Sequence, residues 1–313
     1  FFITICVAAA AAILEVKMKD LKQRLKNHME YLSIETGIRN ADNFDGLEKA
    51  ATYISESLGD CGYKPSLQQF MVSNSLYKGK KFSNIVVSKP GSDLASEIVV
   101  VGAHYDTAAI TSGADDNASG VAGVLELARL LADKSTQRTL EFVLWANEEP
   151  PFFASNDMGS DFYARSARQD NKNITIAYVL EMIGYYSDQP DSQRYPLQFP
   201  GLSKILPRTG CFLAAVGDDG SFPMLSMLSK DFASSEVPLI TNAGLALPPE
   251  FGRNFEYSDN LSFWKYGFQS AMITDTAFYR NPHYHLPSDL PSTLNYSKMA
   301  EVISCLRKHL ISL

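Results

Sequence analysis

Residues 97–102 read EIVVVG, and Ala103 then leads into His104, Tyr105 and Asp106. An unbroken β-branched apolar run is a strand buried on both faces, as in a parallel sheet covered by helices. Two similar runs follow, LEFVLWA at Leu140–Ala146 and ITIAYVL at Ile174–Leu180. Helical periodicity separates them, in a segment that Asn117 can cap and that runs to about Leu131, and again over Met158–Arg168. Upstream, the spacing predicts an amphipathic helix over Val16–Leu32 and a second over Asp45–Leu58, with Gly59 as its stop. Short strands are expected at Gln69–Val72 and Asn84–Ser88. Downstream lie strands at Leu213–Val216, Leu239–Thr241 and Ala271–Thr274, a helix over Phe222–Phe232, and a closing helix over Tyr296–Leu310. Residues 185–210 and 242–258 read as loops. Strands alternating with helices give an α/β fold around a mostly parallel sheet.

Composition narrows the function. The formal charge is −7 and no Lys/Arg run occurs, which argues against nucleic acid as a partner. Cys6, Cys61, Cys211 and Cys305 are too scattered for a zinc ribbon, a CxxC redox motif or a legible disulfide framework. Any metal site must therefore draw on carboxylates and the 5 histidines. Residues 1–16 are read as an apolar leader or anchor, too short for a comfortable membrane span. Residues 17–313 are read as a single catalytic domain. Membrane contact is expected only through that head. Localisation follows it: secreted, periplasmic or membrane-anchored with a leader, cytoplasmic without one.

Ligands of open α/β sheets bind beyond the carboxyl ends of the strands. Here those ends deliver His104 and Asp106, then Asn147-Glu148-Glu149, then Glu181, then Asp275. Between the first two lies GADDN, residues 113–117, and after the last comes HYHLPSD, residues 283–289. Carboxylates converging with few cations nearby repel one another, so a bound divalent cation is the natural compensation. With imidazoles in the set, Zn²⁺ is the expected ion. Two zinc ions would balance three ligand carboxylates and a bridging hydroxide, and a further carboxylate would take the water's proton. The Glu148–Glu149 pair suits that division. Both can face one site only once the strand has ended, and Pro150 and Pro151 favour such an end.

These motifs together resemble the co-catalytic zinc aminopeptidases, metallopeptidase family 28, from about residue 20 to the end. Carrying the resemblance are GAHYDT (Gly102–Thr107), GADDNASGVA (Gly113–Ala122), NEEPPFF (Asn147–Phe153), LEMIGY (Leu180–Tyr185) and HYHLPSD (His283–Asp289). It implies a zinc exopeptidase fold, a three-layer α/β/α sandwich around a mixed sheet of about eight strands. By motif position, His104 and Glu181 would bind one zinc, Glu149 and His285 the other, and Asp116 would bridge both. Glu148 would be the general base, and Asp106 would orient His104. The Asp116–Asn117 peptide would be cis. The implied activity is release of N-terminal residues from peptides by metal-hydroxide attack. Alternatives are a glutaminyl-cyclase-like aminoacyltransferase, with a single zinc, and a non-catalytic binding module on the same fold. Glu181 stands where aminopeptidases commonly carry Asp. Asn260 stands where many relatives carry His, which implies loss of a polar substrate contact. No inserted protease-associated domain fits between the strands at Asn84–Ser88 and Glu97–Gly102. His283 is expected outside the ligand set, and His28 and His309 on helix surfaces. Arg280 and Tyr284 are open to two readings, substrate contact or local packing.

Overall fold

The computed structural model describes residues 2–195, 206–243 and 256–313, with side chains from Glu15 onward. The side chains of the apolar head and parts of both long loops lie outside the described residues. Among the described residues, eight strands run in the order β1 Ser66–Met71, β2 Lys81–Lys89, β3 Leu94–His104, β4 Arg138–Trp145, β5 Ile174–Glu181, β6 Leu213–Gly217, β7 Leu239–Thr241 and β8 Ser270–Thr274. Helices are α1 Phe2–Met29, α2 Phe44–Asp60, α3 Gly120–Leu131, α4 Gly159–Gln169, α5 Phe222–Asp231, α6 Asn260–Lys265 and α7 Tyr296–Ser312. Among the described residues, no helix is long and apolar enough to cross a membrane.

The strands form one mixed sheet in the order β1-β2-β4-β3-β5-β8-β6-β7. The central strands β4, β3, β5 and β8 are mutually parallel, while β1, β2 and β6 enter antiparallel pairs. Side chains alternate along β3. Val99, Val101 and Ala103 join the core under α1, α2, α3, α5 and α7, whereas Val100 joins the second core under α4 and α6. Strand β4 repeats this, with Phe142 and Leu144 on the first face and Val143 and Trp145 on the second. The apolar runs therefore serve both layers of a three-layer α/β/α sandwich, as their composition predicts.

Several local expectations are corrected. Gly59 does not stop α2, which continues to Asp60. The stop is Gly62, at φ +87°, where Gly62 N–H reaches the Gly59 carbonyl and Tyr63 N–H the Leu58 carbonyl. The helix expected from Val16 begins at Phe2 and gives way at Glu30–Thr36 to a π-type turn. Helix α6 falls just after a stretch read as loop.

His28 and His309 are not surface residues: they are 7% and 0% exposed. The ring of His309 lies between Tyr178 and Asp231, with Nε2 2.8 Å from the Tyr178 hydroxyl and Nδ1 2.9 Å from Asp231 Oδ2. Burial lowers its pKa, against the pull of Asp231. A histidine whose folded pKa is depressed contributes stability above its unfolded pKa of about 6.5, and that contribution is lost as pH falls through the folded value. Replacing His309→Leu should cost roughly 1–3 kcal/mol at neutral pH by stranding the buried Tyr178 hydroxyl and taking one partner from Asp231, which keeps Lys308 at 3.4 Å. The gap between wild-type and variant melting temperatures should narrow from about pH 7 to about pH 5. A gap that stays constant in pH-dependent melts would rule this out.

Candidate active site

Each site residue is carried by a strand end or by a loop stapled to one. His104 closes β3 and is fully buried. Neither of its ring nitrogens has a hydrogen bond of normal geometry. Instead Nε2 lies 3.4 Å from Asp116 Oδ1 and 3.3 Å from Glu181 Oε2, and Nδ1 lies 3.4 Å from Asp106 Oδ1. On the other side of Asp116, His285 Nε2 is 3.1 Å from Oδ2 and 3.3 Å from Glu149 Oε2. Two three-donor groups result, His104/Asp116/Glu181 and Asp116/Glu149/His285. They share Asp116, one oxygen facing each.

The loop joining β4 to the site shows how neighbouring glutamates both face inward. Strand β4 ends at Trp145, and Asn147 turns the chain at φ +62°. The backbone N–H groups of Glu148 and Glu149 then donate to the two carboxylate oxygens of Asp106, each at 3.0 Å. Asp106 thus holds the two glutamates by their backbone as well as facing His104. Glu149 enters the second donor group. Glu148 belongs to neither, with Oε2 3.9 Å from His104 Nε2.

The GADDN loop is held equally firmly. Gly113 has φ +55°, and a Cβ there would meet the Asp116 carbonyl at 2.1 Å, so only glycine fits. Asp289 accepts the N–H groups of Asp115 and Asp116 at 2.9 and 3.1 Å. The Asp116–Asn117 peptide is cis. Asn117 accepts the Gly120 N–H at 3.1 Å, capping α3, and the Met182 N–H at 3.0 Å, tying the loop to the chain after β5. Asp115 and Asp275 turn away from the donor groups. They accept the Gly184 and Tyr185 N–H groups respectively, and Asp115 also accepts the Asn281 side-chain amide at 2.7 Å. Glu181 is steadied by the Ser258 hydroxyl at 2.7 Å. The extra methylene of Glu over Asp does not keep it from the site.

Other sequence candidates resolve as follows. His283 lies outside both groups, with Nδ1 3.0 Å from Ser288 Oγ. Arg280 is buried, donating Nε to Gln193 and Nη1 to the Phe212 carbonyl, both at 2.8 Å, so it ties loops together. The Tyr284 ring stacks on His285 at 3.8 Å, and His285 itself has φ +57°. Asn260 is fully buried at the start of α6.

Electrostatics support a cation site. Burial raises the Glu148 carboxyl well above its ordinary range, with Glu149, Glu181 and Asp259 adding to the effect and His104 opposing it. Burial and Asp116 together push Glu149 up to about 7. Burial disfavours a charged His285, yet its bonds to Asp116 and Glu149 win and raise it to about 10. Asp116 is held far below the usual carboxylate range by His104 and His285 despite its burial. Protons thus supply the positive charge in the metal-free cluster, which is where metals compete. The donor set also fits zinc in size. Tetrahedral bonds of about 2.0–2.1 Å place ligand atoms roughly 3.3–3.4 Å apart, close to the separations above.

A model described as peptidase family M28 matches residues 84–309. The chain is 38% identical over 289 residues to the protein YfbL of Escherichia coli (strain K12), covering 90% of this chain and 85% of that one. It is 27% identical over 299 residues to a "Probable leucine aminopeptidase" of Arthroderma otae, covering 91% and 68%. Among solved structures it resembles BSAP, a zinc aminopeptidase from Bacillus subtilis, with a TM-score of 0.69 at 14% identity, covering 92% and 95%. That likeness is one of fold.

Proposed function

We infer the activity from one premise: the chain belongs to peptidase family M28. It is a zinc-dependent exopeptidase that acts on peptides, and we read it as an aminopeptidase with two zinc ions. The observation that carries this reading is the pair of three-donor groups sharing Asp116, with Glu148 beside them and in neither. His104, Asp116 and Glu181 would hold one ion, and Asp116, Glu149 and His285 the other. Residues 17–313 would form one peptidase domain, since a single sheet draws strands from Ser66 to Thr274.

When bound, zinc polarises the scissile carbonyl and lowers the pKa of a water beside it. The chain's own residues do the rest. Glu148 accepts a proton from the attacking water at a carboxylate oxygen and delivers it to the leaving nitrogen as the C–N bond breaks. Asp106 keeps His104 turned toward the site and fixes the backbone that carries Glu148.

Charge supports attack at the amino end of the substrate. Among the described residues, the ion-pair partners of Asp116, Glu148, Glu149 and Glu181 are His104 and His285, with no Lys or Arg. A substrate ammonium suits the carboxylates at such a site, whereas among the described residues no Lys or Arg is paired there to receive a terminal carboxylate.

Hydrolysis of aminoacyl-nitroanilides should be abolished by chelation and restored by zinc, with two ions per chain in the active protein. A peptide digest read by mass spectrometry should show shortening from the N-terminus alone. Chelator-resistant hydrolysis would end the zinc reading. Shortening from the C-terminus would end the aminopeptidase reading, and a single tightly held zinc would favour the transferase.

A further inference from the structure

Arg39 is fully buried, and among the described residues no carboxylate forms an ion pair or hydrogen bond with it. Every acceptor of its guanidinium is a backbone carbonyl. Nε donates to Tyr105 at 2.8 Å, and Nη2 to Gly113 at 2.8 Å. Nη1 donates to Ser112 at 2.6 Å, and at 3.1 and 3.2 Å to Leu32 and Gly37. The Arg39 backbone meets the same loop, since its carbonyl accepts the Thr107 N–H at 3.0 Å and its N–H reaches Thr107 Oγ1 at 3.2 Å.

Those acceptors have a pattern. Tyr105 lies between His104 and Asp106, at the start of the loop that leaves β3. Ser112 and Gly113 lie at its other end, just before Asp115 and Asp116. The separation of His104 from Asp116 depends on how this loop closes, and one rigid planar group grips both of its ends. Burial lowers the Arg39 pKa to about 10, against the pull of Asp289, Asp106, Asp116 and Glu149. It remains charged at neutral pH, behind the acidic cluster. Leu32 and Gly37 make the clamp a tie between the segment following α1 and the active-site loop.

We propose that Arg39 is a positioning residue for the metal centre, clamping the loop between His104 and Asp116 and so setting the site's affinity for zinc. The inference rests on reading the cluster as a zinc site. Lysine separates shape from charge, because an ammonium keeps the charge but cannot fork to carbonyls at both loop ends. Arg39→Lys, stripped of metal and titrated with zinc against a chromophoric chelator, should bind zinc about 10- to 100-fold more weakly than wild type. Its circular dichroism should remain native, and kcat should fall more than KM rises. A variant that melts earlier yet binds zinc with wild-type affinity would overturn the proposal, leaving Arg39 a purely structural residue. A wild-type protein that takes up no zinc would overturn the zinc reading together with this inference. Should Arg39→Lys not fold, arginine side-chain NMR on the wild type decides. The Arg39 Nε–H should be as protected from exchange in metal-free protein as in zinc-loaded protein. Protection that arises only when zinc is added would mean that the metal orders the loop, and the proposal would fail.

Discussion

Glu148→Gln is expected to lower kcat for aminoacyl-nitroanilides by about 10²- to 10⁴-fold, the range for loss of a positioned general acid–base group. Glutamine keeps the shape and a hydrogen-bonding oxygen but cannot accept the proton. Because Glu148 lies outside both donor groups, zinc content should be unchanged, and KM should move little. The pH profile provides a second, independent readout. Burial and the neighbouring carboxylates raise the Glu148 carboxyl, so its basic form is depleted as pH falls and gives kcat/KM an acid limb. Bound zinc would pull that limb down from its metal-free position. In the variant's residual activity the limb should disappear. Full activity, or a collapse of zinc content that explains the loss, would remove Glu148 from the role of base.

How much of this was legible in the sequence varies with the range of the interactions concerned. The continuous apolar runs of β3, β4 and β5 feed two cores by simple alternation, and that pattern is local. Strand ends deliver chemistry by the same local logic, so His104, Glu148, Glu149 and Glu181 could be read in order. Asp116 and His285 came from motif resemblance, and the structure brings them beside those residues. What stayed hidden depends on distant or backbone partners. His309 borders the apolar stripe of α7, but its burial is decided by Tyr178 and Asp231, 131 and 78 residues away. Asp289 lies within the HYHLPSD motif but its role is not legible there, because it holds backbone N–H groups that no residue pattern reveals. Arg39 is the extreme case. Its acceptors are carbonyls, which every residue carries, so no charged partner marks it in the sequence. The stop of α2 shows the same limit at short range. Gly59 and Gly62 are both plausible by composition, and only backbone geometry selects Gly62.

Asp116→Asn should be the most damaging single substitution for the metal centre. The two oxygens of Asp116 face different partners, Oδ1 toward His104 and Oδ2 toward His285. An amide supplies one neutral oxygen and turns N–H donors toward whatever the other oxygen would have met, so both sites are impaired together. Each remaining ligand serves one group. Glu181→Gln should weaken the His104 site alone, and Glu149→Gln the His285 site alone. Zinc titration should therefore set Asp116→Asn apart from the other two, with one ion retained by each of the outer variants and neither held tightly by Asp116→Asn. For Asp116→Asn, both affinities should fall beyond the roughly 10- to 100-fold typical of losing an outer-shell partner, and hydrolysis should drop to background. Thermal melts give a check that does not depend on catalysis. A ligand that binds only the folded state raises its melting temperature with concentration, so added zinc should stabilise wild-type protein markedly and Asp116→Asn hardly at all. If Asp116→Asn instead keeps one tightly bound zinc, the carboxylate does not bridge. The two donor groups would then be a single zinc site with a spare carboxylate and imidazole beside it, which is the arrangement expected of the transferase reading.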